Sequence, residues 1–474
     1  MGIPARHQIH RMQPEVTVKQ ISAILDQLDT ALSGDFPDAA GLRQFSYALA
    51  DQPESGMLEW LNAQSCYPKF YWQQRDENEE AALCGDACSF GHLSAAQVFL
   101  QQHPQLPELR IWGLNAFHGA DVCASDANSL FLPRIEISRH EGLCILRCNL
   151  YSAHSLRDEA PTMRAFLRSL VNRRRLPALA SRVLQHQHLP ALPEWQSMIH
   201  TALACIELRQ FDKVVLARKT TLTLSQPLNA AAFLAASRAV NHHCYHFMMA
   251  FSAQQAFLGS SPERLFLREQ NELFTEALAG TVAGAADNHL AHELGQWLLK
   301  DAKNQRENML VVDDICQRLQ GSAHSLDVMP AEILRLRKVQ HLRRSIRAVL
   351  TCADDATCLQ RLQPTAAVAG LPRQAAREFI AQHEPFDRQW YAGSAGYISL
   401  ARSEFTVALR SAAVTGNLLD LFAGAGIVAG SDAAQEWQEI ENKAAGLRTL
   451  LEENVQSVES VLSDENYARA VRAG

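Results

Sequence analysis

Residues 244–278 read CYHFMMAFSAQQAFLGSSPERLFLREQNELFTEAL, and this stretch decides the fold class. The segments CYHFMMAF, QAFLGSS and RLFLREQNELFTEAL are apolar and aromatic, and short polar breaks separate them, which is the pattern of consecutive β-strands. Consecutive strands with short connections favour antiparallel pairing. The stretch therefore predicts an antiparallel sheet rather than a parallel one.

The same pattern recurs on both sides of this stretch. Further strands are predicted over 109–117, 131–140, 143–152, 212–224, 390–400, 404–414 and 417–428. Apolar spacing of three and four residues predicts helices over 18–32, 155–171, 194–208 and 227–240, one long helix or a broken pair over 289–320, and a helix from about 433 to 454. Strand runs in both halves without regular alternation of strand and helix predict an α+β fold, with antiparallel sheets and helices packed outside.

Size and composition are those of an ordinary folded protein. The chain has 474 residues, of which 47% are hydrophobic and 20% charged, enough for two or three domains or one large α+β unit. The net charge of −7 argues against a broad nucleic-acid surface, which needs a basic footprint. The N-terminal segment lacks an apolar core region, and no stretch approaches eighteen apolar residues. We expect a cytoplasmic protein without a membrane span.

Cysteine usage agrees with that compartment. The 11 cysteines are odd in number and contain no CxxC motif, which favours free thiols in a reducing cytosol. Cys84 and Cys88 have CxxxC spacing with His92 close by, so a zinc site is an alternative for that segment.

Two titratable residues stand where a strand pattern meets a polar break. Lys213 lies in FDKVVLARK (211–219) and Glu263 in LGSSPERLF (258–266). An amine and a carboxyl that face one cleft can serve as base and acid for a single reaction. Taken alone, such a lysine usually faces solvent, and a glutamate after a Ser-Ser-Pro turn is usually solvated or paired with Arg264.

Together with five later segments, these two resemble the chorismate-utilising enzymes. The segments are EALAGT (276–281), QRENMLVV (305–312), ALRSA (408–412), FAGAGIV (422–428) and EWQEIENKA (436–444). The resemblance is specific over about 195–454 and weak over about 24–190. It implies two stacked antiparallel sheets, with the active site in a cleft between them. The expected organisation is a tail at 1–20, a variable N-terminal half at 21–190, a chorismate-binding catalytic region at 195–454 and a C-terminal tail at 455–474.

Two positions separate the branches of this family. The amine-transferring members usually carry a glutamine where Lys213 stands, and the lysine marks members that activate water. Ala367, in PTAAVAGLPR (364–373), stands where the anthranilate and aminodeoxychorismate synthases have a threonine. This combination resembles the isochorismate synthases, which add water to chorismate and stop. The strings at 311–319 and 436–451 resemble the menaquinone-pathway members most.

The resemblance also implies a site. Lys213 would be the general base and Glu263 the general acid. Glu307 and Glu439 would bind Mg²⁺, an ion that prefers hard oxygen ligands, with Glu436 on the same helical face acting directly or through water. Substrate-binding positions would be Ala279, Gly280, Thr281, Ala367, Tyr397, Arg410, Lys443 and the backbone of a glycine turn at Gly424, Ala425 and Gly426.

Several alternatives stay open at this point. A salicylate synthase would go on to expel pyruvate, and a siderophore-branch isochorismate synthase would share the chemistry. An aminating synthase would need a glutamine amidotransferase subunit, against which Lys213 argues. A silent chorismate-binding protein and a dinucleotide site at GAGIVAG (424–430) are weaker, since only some 45 residues follow that motif. We expect chorismate as the partner, and neither nucleic acid nor membrane.

Overall fold

The computed structural model describes residues 20–49, 56–118, 129–285 and 287–451. Apart from residue 20, the tails predicted at 1–20 and 455–474 lie outside these ranges. Within them, the helices are α1 (Ile21–Ala31), α2 (Gly56–Ala63), α3 (Leu93–Gln101), α4 (Leu156–Ser169), α5 (Leu192–Glu207), α6 (Ala230–Val240), α7 (Asn288–Leu298), α8 (Ala302–Leu319), α9 (Asp355–Leu362), α10 (Arg373–His383) and α11 (433–451). None of the described helices is long and apolar enough to cross a membrane.

The strands of the same ranges are β1 (Gly41–Ala48), β2 (Lys69–Gln73), β3 (Glu79–Phe90), β4 (Ile111–Asn115), β5 (Ser129–His140), β6 (Leu143–Ser152), β7 (Val183–Leu189), β8 (Lys213–Leu224), β9 (Tyr245–Ala250), β10 (Gln255–Ser261), β11 (Arg264–Glu269), β12 (Glu272–Ala283), β13 (Ala323–Val328), β14 (Glu332–Arg335), β15 (Val339–Leu350), β16 (Gly370–Leu371), β17 (Ser394–Ile398), β18 (Arg402–Val407), β19 (Ser411–Thr415) and β20 (Leu418–Val428).

The predicted α+β class and antiparallel pairing are confirmed. The opening stretch forms β9 to β12, in which β9 pairs with β10 and β11 with β12. All pairings between the named strands are antiparallel. Hydrogen bonds join the twenty strands into one network, so the two sheets that the resemblance implies are connected through their edges.

Side chains that alternate along the strands fill two separate cores. In β9, Phe247 and Met249 are buried in one hydrophobic cluster, while Met248 between them is buried in the other. Successive side chains of a strand point to opposite faces, so a strand buried on both sides serves both clusters. This explains why β9 reads as a continuous apolar run rather than an alternating one.

The strand β8 and the helix α8 position Lys213 and Glu307. β8 pairs with β20 along its whole length, with Lys213 opposite Val428. The predicted segment 289–320 is a broken pair, because α8 begins after Asp301, whose carboxylate accepts from the backbone N–H of Asn304. Asn308 of α8 is fully buried and its amide donates to the carbonyl oxygens of Ala277 and Ala279 in β12. This contact fixes α8, and Glu307 with it, against the strand.

Candidate active site

The strands β8, β12 and β20 and the helices α8 and α11 border a cleft that opens to solvent. The predicted site residues that line it are Glu263, Ala279, Gly280, Thr281, Glu307, Ala367, Arg410, Gly424, Gly426, Glu439 and Lys443. The structure therefore gathers residues that the chain scatters over 181 positions, from 263 to 443, into one place.

Glu263 is a buried acid. Its side chain is 2% exposed, and its Oε1 has no hydrogen-bond partner among the described residues. Burial, reinforced by the nearby carboxylate of Glu276, raises its pKa to about 8, although Lys213 and Lys443 act in the opposite direction. At neutral pH the carboxyl group is therefore mostly protonated and able to donate a proton into the cleft.

Lys213 is also buried, although a lysine at this phase of a strand usually faces solvent. Its side chain is 1% exposed, and Nζ lies 2.9 Å from Oε1 of Glu307. It stands beside the cleft, in contact with Glu307 and close to Gly426, which both line it. Its charge also acts on Glu263 and Glu439. The amine of Lys213 therefore interacts both with Glu263 and with the carboxylates of Glu307 and Glu439.

Two carboxylates that line the cleft, Glu307 and Glu439, lie close to Lys213, and a third, Glu436, lies close to Glu439. Glu439 pairs with Lys443 at 2.6 Å, and Lys443 also donates to the carbonyl oxygen of Gly424 at 2.9 Å. Burial raises the pKa of Glu439, but Lys443 outweighs it, so the net pKa is lowered. Burial and the negative charge of Glu439 raise the pKa of Glu436 to about 7. Glu436 does not line the cleft itself and lies behind Glu439 on α11.

Arg410 and His341 form one wall of the cleft, and Arg410 supplies its positive charge. Nη2 of Arg410 lies 3.0 Å from Nε2 of His341, and Nδ1 of the same ring lies 3.1 Å from Oγ1 of Thr281. An arginine only donates, so Nε2 accepts and Nδ1 carries the hydrogen. Burial, with Arg410 and Lys443 nearby, holds the pKa of His341 well below its usual range, so the ring is neutral. Arg410 has a left-handed backbone with φ of 45°, which is uncommon outside glycine and occurs at functional sites.

The glycine turn expected at 424–426 is a strand. Gly424, Ala425 and Gly426 belong to β20 and pair in regular register with Ala217, Leu216 and Val215. Ala425 faces the hydrophobic core and does not line the cleft. A Cβ at Gly424 would lie 2.8 Å from the hydroxyl of Tyr391, and one at Gly426 would lie 3.0 Å from Cε of Lys213. These glycines leave space for other groups, which corrects the expected turn.

The structure also corrects the expectation for Tyr397. This residue is buried, its hydroxyl donates to Glu79 at 3.2 Å, and its ring lies 4.5 Å from that of Trp112. It does not line the cleft. The tyrosine that does is Tyr391, at the start of the same WYAGSAGY segment, and its ring stacks on Phe422 at 5.4 Å. Tyr397 lies within β17 and points into the core, whereas Tyr391 precedes that strand.

Sequence reasoning missed several residues of the cleft. They are Val215, Pro262, Leu278, His341, Val368, Tyr391, Leu409, Phe422 and Ala423. Five of them lie inside segments that carry the family resemblance, so the predicted residues beside them indicate the same region; these five are Pro262, Leu278, Leu409, Phe422 and Ala423. His341 belongs to β15, in a part of the chain for which no element was predicted, and it carries no recognisable sequence signal. Among the described residues, Cys84 and Cys88 of the zinc alternative belong to no group of three or more His, Cys, Asp or Glu side chains that could hold a metal ion.

Comparison with known proteins agrees with this geometry. A family profile described as chorismate binding enzyme matches residues 41–452. The chain belongs to the chorismate binding enzymes. It is 53% identical over 435 residues to the isochorismate synthase MenF of Escherichia coli (strain K12), covering 92% of this chain and 100% of that protein. It is 41% identical to the isochorismate synthase MenF of Haemophilus influenzae (strain Rd), covering 84% and 89%.

A solved structure of this family extends the likeness to three dimensions. The menaquinone-specific isochorismate synthase MenF from Escherichia coli superposes with a TM-score of 0.87 at 53% identity, covering 91% of this chain and 99% of that one. The match includes the N-terminal half, where the resemblance expected from sequence motifs is weak. Both halves of this chorismate binding enzyme therefore belong to the shared fold.

Proposed function

We propose that this protein is an isochorismate synthase of menaquinone biosynthesis. It converts chorismate to isochorismate by adding water at C2 and releasing the hydroxyl group of C4. The observation that carries the proposal is a buried, mostly protonated Glu263 facing the same cleft that Lys213 borders. The two relatives and the solved structure named above support the same activity.

Lys213 and Glu263 divide the proton transfers. As the general base, Lys213 takes a proton from the water that attacks C2, and Glu263 gives its proton to the departing C4 hydroxyl as the double bonds shift. One water enters and one leaves, so the reaction is an isomerisation. The base and the acid begin in opposite protonation states, and the rate should follow a bell-shaped dependence on pH.

The remaining residues hold the substrate. Chorismate has two carboxylates, and Arg410 with Lys443 supplies cations on the cleft wall. An arginine can grip a carboxylate through two parallel hydrogen bonds. The hydroxyl of Tyr391 and the neutral ring of His341 border the same space, and Ala367 leaves room where a larger side chain would stand. Ala279, Gly280 and Thr281 lie beside the ring of the substrate.

The carboxylates fit a magnesium ion. Glu307 and Glu439 line the cleft, and Glu436 lies on the same helix as Glu439, where burial and the charge of Glu439 raise the pKa of Glu436 to about 7. No three side chains of His, Cys, Asp or Glu converge on one metal position in the described part of the chain. Two carboxylates, waters and a substrate carboxylate suit Mg²⁺, which keeps several waters. When bound, the ion would supply positive charge to orient that substrate carboxylate.

Product analysis tests this function. Purified protein is incubated with chorismate and Mg²⁺, with and without a chelator, and products are separated by chromatography. We expect isochorismate, no pyruvate, and loss of product with the chelator. Salicylate with an equal amount of pyruvate would assign the protein to the eliminating branch. Product formed only with ammonia would assign it to the aminating branch.

A further inference from the structure

The peptide bonds on both sides of Glu263 are held by one buried ion pair. Nη1 of Arg75 donates to the carbonyl oxygen of Pro262 at 2.9 Å. The carboxylate of Glu276 accepts from the backbone N–H of Arg264 at 2.8 Å. Arg75 and Glu276 are joined by two hydrogen bonds of 2.6 and 2.8 Å, and their side chains are 7% and 2% exposed.

The ion pair of Arg75 and Glu276 lies where the pairing of two strands is irregular. The register of β11 against β18 shifts between Arg264 and Phe266, an irregularity of the kind that a β-bulge produces. A bulge leaves a backbone group without its ladder partner and re-aims the neighbouring side chain. Here Glu276 takes up the freed N–H, while Oγ1 of Thr406 donates to the carbonyl oxygen of Glu263 at 2.6 Å. The backbone of Glu263 is thus fixed on every side.

Arg75 reaches the site from the other half of the chain. It lies in the turn between β2 and β3, within the variable N-terminal half, and its guanidinium group stands 5.5 Å from the ring centre of Tyr245. Glu276 lies in β12. The ion pair therefore ties a turn of the N-terminal half to the strand beside the acid.

We propose that Arg75 and Glu276 are a positioning pair for Glu263, which holds the two peptide bonds beside this residue and so fixes the aim of its carboxyl group. This inference rests on the role proposed above for Glu263. A purely structural ion pair would stabilise the fold without influencing the protonation of the acid. The charges of Arg75 and Glu276 act on the pKa of Glu263 in opposite directions. Titration of Glu263 in variants of each residue therefore distinguishes a positioning role from a purely structural one.

Removing the charge of Arg75 or of Glu276 should shift the pKa of Glu263 in a predictable direction. Glu276 raises the pKa of Glu263, and Arg75 lowers it. Glu276→Gln should therefore lower that pKa and Arg75→Gln should raise it, each on the order of one pH unit. The charged groups that face Glu263 and stay in place are Lys213 from β8, Lys443 from α11 and Arg410 before β19.

Infrared difference titration measures the pKa of Glu263 in each variant, and it does not require catalytic turnover. The carboxyl band of Glu263 is obtained in each background by subtracting the matching variant that also carries Glu263→Gln. We expect opposite shifts of the titration midpoint, and the same opposite shifts of the alkaline limb of kcat with chorismate. Arg75→Lys keeps the charge but not the two-armed grip, so it should lower kcat about tenfold or more with the midpoint almost unmoved.

A matched control exists on β11, the strand that follows Glu263. Arg268 of β11 and Asp355 form another buried, two-armed pair, at 2.6 and 2.7 Å, away from the cleft. Asp355→Asn should lower the melting temperature and leave the midpoint unchanged. Shifts in the same direction, no shift, or an equal shift in the control would overturn the inference. If the protein makes no isochorismate, the proposed function fails, and the infrared midpoint still decides whether the pair acts on Glu263.

Discussion

Nζ of Lys213 lies 2.9 Å from Oε1 of Glu307, although 94 positions separate the two residues along the chain. The strand β8 supplies the amine and the helix α8 the carboxylate. Gly426 in β20 stands against both, since a Cβ there would lie 3.0 Å from Cε of Lys213 and 3.1 Å from Oε1 of Glu307. The absent side chain at Gly426 is thus part of the contact between the proposed base and the proposed metal ligand.

A methyl group at Gly426 should disturb this contact. Gly426→Ala is expected to lower kcat about 10- to 100-fold, because small displacements of catalytic groups carry large rate penalties. Steady-state kinetics with chorismate measure it. Gly446→Ala is the control, since a Cβ there meets Asn241 only at 3.6 Å and glycine is unfavourable within a helix. Equal kinetics of the two variants would contradict this account of Gly426.

Loss of either proposed proton-transfer group should stop the reaction while leaving the protein folded. Lys213→Ala and Glu263→Gln are each expected to reduce kcat at least about 10²-fold, the usual contribution of general acid–base catalysis. Lys219→Ala, on the same strand, and Glu269→Gln, at an exposed position of β11, are the controls and should keep nearly full activity. Near-normal turnover of either first variant would rule out the mechanism.

The same Glu263→Gln variant should be more stable than the unchanged protein in alkaline solution. The pKa of Glu263 rises from 4.5 to about 8 on folding, so the folded state holds a proton that the unfolded state has lost between these pH values. Stability therefore falls across this window, by at most about 1.4 kcal/mol per pH unit. Glutamine does not titrate and escapes this loss.

Urea denaturation of both proteins between pH 5 and pH 9, without magnesium, measures the difference. The advantage of the variant should grow with pH up to about 8 and then level off. A constant difference at all pH values would mean that Glu263 titrates normally in the folded protein.

The carboxylates of the cleft should control the magnesium requirement. Glu439→Gln and Glu307→Gln are expected to raise the magnesium concentration for half-maximal activity at least about 10-fold, because each removes an anionic oxygen ligand. Activity is titrated with Mg²⁺ after removal of metal by a chelator. Glu293→Gln, at an exposed position of α7, is the control and should leave the requirement unchanged. An unchanged requirement in both cleft variants would exclude these residues as ligands.

The two tyrosines of the WYAGSAGY segment should behave differently. Tyr391→Phe removes a hydroxyl that faces the cleft and is expected to raise KM about 10-fold, the cost of a lost hydrogen bond to a charged group. Tyr397→Phe removes a hydrogen bond to buried Glu79, so it should lower the free energy of unfolding by about 1 kcal/mol and leave KM unchanged. The opposite result would restore Tyr397 as the substrate-binding residue.

Much of the fold was predictable because it depends on local pattern. The strands at 143–152 and 212–224 and the helix at 194–208 agree with β6, β8 and α5 within two residues at each end. Between 323 and 383 no element was predicted, although β13 to β16, α9 and α10 lie there. The strands β13 and β14 have mixed, half-exposed faces, so no strong periodicity marks them. The strands β15 and β16 pair with the distant strands β12 and β8, and no local pattern records these pairings.

The sequence by itself determined the α+β class, the family and the identity of most residues that line the cleft, since short motifs and residue types record them directly. Only the tertiary structure shows which of two tyrosines lines the cleft, that residues 424–426 form a strand, and that His341 lines the cleft. It also shows the burial that raises the pKa of Glu263. The physical reason is that orientation and pKa depend on burial and on charges brought together from distant segments, such as Glu276 and Arg75, and no local pattern contains those distances.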